Sequence, residues 1–177
     1  MVEFKQRLLA RNELAKYSQR GGGGLAEPQL RVYKKDPRAK LPVRSPESAI
    51  GLDVFAFLLT ESGRPSSRAI HLKGVTSIPT GLIVQPPPGY FIQTCSRSGL
   101  AQRGVFVANS PGVIDPDYTG ELFVLLFNGG YETQYVAHEH RIAQLILTPI
   151  SWCTVTEVGE PPDSAGRGPA GFGSTGL

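Results

Sequence analysis

Residues 122–127 read Leu-Phe-Val-Leu-Leu-Phe, a run that is apolar at every position. A short run of aromatic and branched side chains bounded by turn residues predicts a β-strand. Because side chains alternate between the two faces of a strand, both faces of this one are expected to be buried. A single small sheet rarely buries both faces, so the run predicts either two packed layers or a subunit interface.

Similar short runs occur along the chain from Leu30 onward, and turn-forming segments separate them. The further apolar runs are 82–84, 90–92, 105–107, 142–147 and 153–155. The turn segments between them, rich in proline, glycine and asparagine, are 86–89, 110–112 and 128–130. Many short strands divided by frequent turns predict an all-β sandwich or barrel.

The two ends of the chain differ from this β-rich region. Residues 1–20 have a loose helical pattern, which the four glycines at 21–24 interrupt, and no Gly-Lys-Ser/Thr follows to make them a phosphate loop. After residue 162 the apolar content disappears. We predict a basic tail with a glycine-rich linker over residues 1–27, a β-barrel over 28–158 and a glycine-rich arm over 159–177.

Charge and composition limit the classes of partner. The net charge is +3 for 177 residues. The same +3 arises within residues 1–20, where five basic residues face Glu3 and Glu13, so the rest of the chain is formally neutral and a nucleic-acid groove on the barrel is not expected. No apolar run approaches the roughly 20 residues of a membrane span, and no secretory signal begins the sequence. We therefore expect an intracellular protein of the cytoplasm or nucleus, with Cys95 and Cys153 as reduced thiols.

Two internal segments have compositions suited to ligand chemistry. Residues 96–101, Ser-Arg-Ser-Gly-Leu-Ala, set an arginine fork beside two hydroxyls and a glycine, which suits phosphate binding but also an ordinary surface turn. Residues 109–120, Asn-Ser-Pro-Gly-Val-Ile-Asp-Pro-Asp-Tyr-Thr-Gly, are compatible with a tight hairpin whose main chain reads a planar heterocycle, or with a solvated acidic turn. Asp115 and Asp117 have the period-two spacing of side chains on one face.

The C-terminal segment 166–177 combines glycines with groups that suit a nucleotide. Arg167 offers charge, Ser174 and Thr175 offer hydroxyls, and Phe172 can stack on a base. The alternative interpretation is a disordered tail.

Taken together and in order, five segments resemble the five motifs of the trimeric dUTPase family, the dUTP diphosphatases. They read AIGLDVFA at 49–56, RSGLA at 97–101, NSPGVIDPDYTG at 109–120, RIAQLI at 141–146 and RGPAGFGSTG at 167–176. Residues 1–28 fall outside the resemblance. It implies a distorted jelly-roll β-barrel and a homotrimer whose three active sites each draw on all three chains. The C-terminal arm would close over the nucleotide of a neighbouring subunit.

The resemblance also implies a reaction: hydrolysis of dUTP to dUMP and pyrophosphate with Mg²⁺, which limits uracil in DNA and supplies dUMP for dTMP synthesis. Asp115 matches the carboxylate that activates the water attacking the α-phosphate. Tyr118 matches the ring that packs against deoxyribose and rejects UTP, and Phe172 matches the ring that stacks on uracil. The residues matching the uracil-reading hairpin are Asn109, Gly112, Val113 and Ile114.

The remaining matches concern phosphates and metal. The phosphate-binding matches are Arg97, Ser98, Gly99 and Gln144 together with Arg167, Gly173, Ser174 and Thr175 of the arm. Asp53 matches an aspartate that helps to hold a hydrated magnesium ion, which the triphosphate itself chiefly binds.

Some positions depart from the family pattern. Cys95-Ser96 replace a common proline before Arg97, and Pro169-Ala170 replace a more glycine-rich run. His140 stands where many relatives carry an aspartate before Arg141, which calls an arginine-orienting ion pair into question. The alternatives to a diphosphatase are a dCTP deaminase of the same fold, which the Asp115-Pro-Asp-Tyr118 run disfavours, and a non-catalytic β-barrel that binds nucleotides or proteins.

Overall fold

The computed structural model describes residues 27–161. The expectations for the basic tail and for most of the C-terminal arm lie outside this range. The described residues form β-strands connected by turns, with one short helix, α1 (Ser98–Ala101). The strands in chain order are β1 (Arg31–Lys34), β2 (Leu52–Phe55), β3 (Ser67–Ile70), β4 (Val75–Pro79), β5 (Leu82–Gln85), β6 (Tyr90–Cys95), β7 (Val105–Val107), β8 (Gly112–Ile114), β9 (Phe123–Asn128), β10 (Gln134–Ala137) and β11 (Arg141–Pro149).

The strands assemble into antiparallel sheets whose order differs from the order along the chain. A four-stranded sheet runs β2-β11-β6-β8 and a three-stranded sheet runs β4-β9-β7. Two further pairs are β1-β5 and β3-β10. This crossing between sheets is the arrangement of a jelly-roll-like barrel. The all-β prediction is confirmed.

One hydrophobic core lies between the sheets. Val54, Ile92 and Leu145 enter it from the four-stranded sheet, and Ile78 and Leu126 enter it from the three-stranded sheet; each is at most 1% exposed. Side chains of this size contribute about 1.5–3 kcal/mol each when fully buried. The core therefore fixes the relative position of the two sheets that carry the candidate site.

The run 122–127 forms most of β9, but its two faces are not equally buried. Leu122, Val124 and Leu126 lie in the core, whereas Phe123 remains 48% exposed. Phe127 on the outer face is half-buried and is flanked across the sheet by Val75 and Phe106. No residue within 27–161 of a single chain covers this outer face, so burial of both faces stays a prediction that a subunit interface could meet.

The other differences from the sequence prediction also concern strands. Residues 153–155 form no strand and are exposed, since no strand within the described range pairs with them. Five strands were marked neither by an apolar run nor by the segment 109–120: β1, β2, β3, β4 and β10. These strands carry charged or polar residues on at least one face, which hides them from a search for hydrophobic runs. Over the same residues, no helix is long and apolar enough to cross a membrane.

Candidate active site

A cleft of about 270 Å³ opens between the edge strand β8 and the start of β9. Its walls are Thr94, Asn109, Gly112, Val113, Ile114, Asp115, Tyr118 and the segment 121–125. Every base-, sugar- and water-directed residue predicted within the described range therefore lies on this one cleft. The structure brings the predicted residues between Asn109 and Tyr118 together with Thr94 and the segment 121–125.

The segment 109–120 does not form a hairpin of its own. β7 before it pairs with β9, whereas β8 pairs with β6, so the segment crosses from one sheet to the other. β8 is the edge of its sheet, and one side of its main chain has no strand partner among the described residues. The expectation of exposed main-chain donors and acceptors is thus met by an edge strand.

Asn109 and Gly112 are packed against each other at the head of the cleft. A Cβ atom at position 112 would lie 2.9 Å from Asn109 Nδ2, closer than non-bonded contacts allow. Glycine at this position therefore leaves room for the Asn109 amide beside the edge strand. The side chain and the main chain present hydrogen-bonding groups side by side.

Asp115 follows directly after β8 and is exposed on the cleft. None of the ion pairs formed among residues 27–161 involves this carboxylate. Its main-chain oxygen accepts a hydrogen bond from the N–H of Tyr118 at 3.2 Å, which closes the turn. A carboxylate that makes no ion pair within the described residues, and whose main chain is held by a closed turn, is suited to accept a proton from water.

Tyr118 is fixed by its surroundings although its ring is 45% exposed. Its hydroxyl donates to the main-chain oxygen of Glu121 at 2.9 Å. The ring lies across Gly120, where an added Cβ would collide with the tyrosine oxygen. The ring can therefore form a wall of the cleft at a defined place.

A second cluster lies around Asp53 on β2. Arg97 Nε donates to Asp53 Oδ1 at 2.8 Å, and Arg141 Nη1 donates to Oδ2 at 3.2 Å. The Asp53 side chain is only 3% exposed, whereas those of Arg97 and Arg141 are 21% and 47% exposed. One buried carboxylate thus holds two arginines, and the cluster keeps a net positive charge toward solvent.

The other predicted phosphate-binding residues surround this pair of arginines. Ser98 and Gly99 are exposed in α1, which starts immediately after Arg97. Gln144 pairs in register with Asp53 and with Cys95, and its side chain packs on Gly51, where a Cβ would lie 3.1 Å from Gln144 Cδ. These residues form a positively charged patch distinct from the cleft, whose described lining includes none of them.

Ser96 connects the turn before Arg97 to the cleft side of the molecule. Its hydroxyl accepts a hydrogen bond from the N–H of Val107 at 2.9 Å, and its own N–H donates to Ser110 Oγ at 3.4 Å. Ser96 stands in the Cys-Ser pair that departs from the family pattern. In this chain the serine ties the arginine-bearing turn to the segment that precedes β8.

Two residues of the candidate site were not predicted as site residues from the sequence. Arg141 was recognised only as part of a motif, and Glu121, which lines the cleft, was not singled out. The signal for Arg141 is the aspartate of the Leu-Asp-Val-Phe strand, because a carboxylate buried in a strand requires cationic partners. The ion pair that His140 cannot provide is made by Asp53. Arg167, Phe172, Gly173, Ser174 and Thr175 lie outside the described residues.

The donor set argues against a metal cage built by the protein. No group of three or more histidine, cysteine, aspartate or glutamate side chains converges within residues 27–161. Each oxygen of Asp53 already accepts from an arginine, so direct coordination by this carboxylate would compete with both contacts. The residues present fit only a metal ion that arrives on its ligand and keeps its own water shell.

Known proteins are similar to this chain over most of its length. A deoxyuridine 5'-triphosphate nucleotidohydrolase of Methylocella silvestris is 40% identical over 160 residues, which cover 86% of this chain and 95% of the relative. A relative of the same name from an Anaeromyxobacter species is 42% identical over 147 residues, covering 82% of this chain and 94% of the relative.

Solved structures share the fold at lower identity. A mutant dUTPase of Staphylococcus bacteriophage 80alpha with dUpNHpp matches with a TM-score of 0.71 at 22% identity, over 84% of this chain and 99% of that one. A mutant dUTPase of phage phi11 of S. aureus, described as coordinating a structural Mg(II) ion, matches with a TM-score of 0.63 at 21% identity, over 76% and 99%. The dUTPase family model matches residues 38–176, more than half of the chain. The chain therefore belongs to the dUTPase family.

Proposed function

We propose that this protein hydrolyses dUTP to dUMP and pyrophosphate through attack of a water molecule on the α-phosphate. The observation that carries the proposal is the cleft, in which an uncommitted carboxylate, Asp115, lies beside the edge strand β8 and the Tyr118 ring. Membership of the dUTPase family and the names of the relatives support the same substrate.

Asp115 is the proposed general base. Its carboxylate accepts a proton as water attacks, which develops hydroxide character on the nucleophile near the phosphorus atom. General-base assistance of this kind contributes typically about 10²–10⁴-fold in rate. The turn closed by the Tyr118 N–H restricts the main chain that carries the carboxylate, so little reorganisation is needed on binding.

Uracil recognition is assigned to the head of the cleft. The main chain of Gly112, Val113 and Ile114 and the amide of Asn109 offer donors and acceptors to O4 and N3–H of the base. Cytosine presents the opposite donor and acceptor there, so its binding would leave groups unpaired. Sites that hydrogen-bond a substrate in this way reject such analogues by roughly 10⁴–10⁵.

Sugar recognition is assigned to Tyr118. Packing of deoxyribose on the ring leaves no space for a 2′-hydroxyl, so UTP is rejected by steric overlap rather than by a lost hydrogen bond. This assignment requires a ring that does not move aside. The Tyr118 hydroxyl bond to Glu121 and the close contact with Gly120 support that requirement.

Phosphate binding is assigned to the arginine cluster and to the arm. Arg97, Ser98, Gly99 and Gln144 form the patch held by Asp53, and Arg141 belongs to the same patch. Arg167, Gly173, Ser174 and Thr175 of the arm would contact the terminal phosphate, with Phe172 stacked on uracil. Arginine donors fixed in advance stabilise the charge that develops on the pyrophosphate leaving group.

A homotrimer is part of the proposal, because within one chain the base- and sugar-binding residues lie apart from the phosphate-binding arginines. The described lining of the cleft contains the base and sugar residues, and the arginine cluster lies apart from it. Neighbouring subunits would bring the two groups of residues together. The apolar row on the three-stranded sheet, in which half-buried Phe127 lies between exposed Val75 and Phe106, supports burial of this face against another copy.

Magnesium is the proposed cofactor, bound mainly by the triphosphate. When bound, the ion neutralises phosphate charge. The part that this chain contributes is indirect: Asp53 orients Arg97 and Arg141 toward the phosphates, and any contact between Asp53 and the ion would run through water. We further propose that the enzyme acts inside the cell, in the cytoplasm or nucleus, where dUTP competes with dTTP for incorporation into DNA.

The proposal is tested by pyrophosphate release from dUTP, dCTP, dTTP and UTP in the presence of Mg²⁺. Turnover of dUTP alone supports it, and equal turnover of all four, or ammonia release from dCTP, contradicts it. A second arm runs the reaction in ¹⁸O-labelled water. Label in dUMP indicates attack at the α-phosphorus, whereas label in pyrophosphate would show attack at the β-phosphorus and overturn the mechanism.

A further inference from the structure

Glu121 lines the cleft, yet its carboxylate is committed to other parts of the fold. Oε1 accepts a hydrogen bond from the N–H of Gly81 at 2.9 Å, and Oε2 pairs with Lys35 Nζ at 2.8 Å. The side chain is only 13% exposed. Both oxygens of this largely buried carboxylate contact the fold, so they are directed at the scaffold rather than at a ligand.

The segment that carries Glu121 is fastened to the turn between β4 and β5 by further contacts. The Thr80 hydroxyl donates to the main-chain oxygen of Leu122 at 2.7 Å, and the Leu122 N–H donates to the oxygen of Leu82 at 2.8 Å. Gly81 has a φ of +68°, and a Cβ there would lie 2.9 Å from Ala39 Cβ. This turn is thus closely packed, and it holds residues 121–122 in place.

Tyr118 is connected to the β4–β5 turn through the main chain of Glu121. Its hydroxyl donates to the Glu121 oxygen at 2.9 Å, while its ring is 45% exposed. A half-exposed ring has few packing contacts to define its tilt, so the hydroxyl bond and the contact with Gly120 set the position of its outer edge. Lys35, Glu121 and Tyr118 therefore form a continuous chain of contacts from the strand pair β1-β5 to the cleft.

We propose that Glu121 is a positioning residue that determines discrimination between deoxyribo- and ribonucleotides. Its carboxylate, held by Lys35 and Gly81, fixes the main-chain oxygen to which Tyr118 is bound, and thereby sets how closely the ring approaches C2′ of the sugar. Loss of the Glu121 contacts with Lys35 and Gly81 lets the Tyr118 ring move away from the sugar. A 2′-hydroxyl can then be accommodated. The inference rests on the proposed dUTP reaction and assigns to Lys35, a residue outside the described cleft lining, an effect on sugar selectivity.

The test compares kcat/KM for dUTP with kcat/KM for UTP in Glu121→Ala, Glu121→Gln and Lys35→Met. The ratio of the two constants is independent of the fraction of folded enzyme, so simple destabilisation does not change it. We expect Glu121→Ala to lower the ratio about tenfold or more, because displacement of a wall of the site by a fraction of an ångström changes rates on this scale. Glu121→Gln keeps an oxygen for Gly81 and should give a smaller loss.

Lys34→Met is the matched control, since Lys34 Nζ donates to the oxygen of Pro37 and does not contact Glu121. It should leave the ratio unchanged, whereas Lys35→Met should lower it. Tyr118→Phe removes the hydroxyl bond alone and should reproduce the effect of Glu121→Ala. Where UTP turnover is too slow to measure, dissociation constants of dUDP and UDP from calorimetry report the sugar selectivity of binding, which should change in the same direction.

An unchanged ratio in Glu121→Ala, together with a lowered ratio in Tyr118→Phe, would overturn the inference while leaving the proposed reaction intact. An equal effect of Lys34→Met and Lys35→Met would also overturn it. Absence of dUTP turnover in the wild-type protein would overturn the proposed function, and this inference with it.

Discussion

Arg97 donates from Nε to Asp53 Oδ1 at 2.8 Å, and the other oxygen of the same carboxylate accepts from Arg141. Because Asp53 is almost fully buried, the two arginines compensate the burial of its carboxylate, and the arginines in turn depend on Asp53 for their orientation. Residues that stand 44 and 88 positions from Asp53 in sequence thus form one unit. The unit explains how a β-barrel without a metal cage in its described part can present fixed positive charge.

Replacement of Asp53 by asparagine should therefore destabilise the fold as well as weaken substrate binding. We expect a loss of about 3 kcal/mol in the free energy of unfolding, at the lower end for a broken buried pair because both arginines are partly exposed. Urea unfolding at neutral pH measures this loss. Asp36→Asn, which breaks the surface pair with Arg38, is the control and should have a much smaller effect. Equal losses in the two variants would contradict the assignment.

Gly112→Ala should impair recognition of the base. The new Cβ would lie 2.9 Å from Asn109 Nδ2, so the amide has to move away from the edge strand. We expect the preference for dUTP over dCTP in kcat/KM to fall about tenfold, as expected for a misplaced binding group. Gly159→Ala is the control, because no described atom beyond its immediate chain neighbours lies within 4 Å of the added Cβ. A preference preserved in Gly112→Ala would refute the role of Asn109.

Gly120→Ala should affect the sugar wall. An added Cβ collides with the tyrosine oxygen, which forces the Tyr118 ring away from its hydrogen bond with Glu121. We expect kcat/KM for dUTP to drop by about 10–100-fold, because the ring no longer orients the deoxyribose. Steady-state kinetics measure the drop, with Gly159→Ala again as the neutral comparison. Kinetics equal to those of the wild type would show that the ring position is unimportant.

Phe106→Asp should disrupt assembly. Phe106 is 39% exposed and packs against Phe127 on the outer face of the three-stranded sheet, with the ring centroids 5.2 Å apart. A charge on a face buried between copies costs several kcal/mol if it is unpaired. Analytical ultracentrifugation should show a trimer for the wild type and smaller species for this variant. Tyr131→Asp, at a fully exposed position, should remain trimeric. A monomeric wild type would contradict the proposal.

The sequence was most informative where local chemistry decides structure. The run 105–107 is β7 to the residue, and the residues of segment 109–120 that were assigned to base, sugar and water meet on one cleft. Strands such as β3, Ser-Arg-Ala-Ile, were missed because they carry charge on their outer face and depend on a partner strand for their formation.

Long-range pairing was the other part that the sequence could not reveal. The Asp53 pair with Arg141 and the Glu121 pair with Lys35 each join residues more than 80 positions apart. The sheet order β2-β11-β6 brings Asp53 and Arg141 together. The packing of Glu121 against the β4–β5 turn places its carboxylate beside Lys35. The outer face of the run 122–127 is likewise decided beyond local sequence, since nothing within the described part of one chain covers it.

The most direct test of Asp115 as the general base is the turnover number for dUTP in Asp115→Asn compared with Asp117→Asn. Both positions are exposed, but only Asp115 belongs to the described cleft lining. We expect a fall of about 10²–10⁴-fold in kcat for Asp115→Asn, with dUTP binding retained, and little change for Asp117→Asn. Turnover in Asp115→Asn within a few-fold of the wild type would contradict the central claim that this carboxylate activates the attacking water.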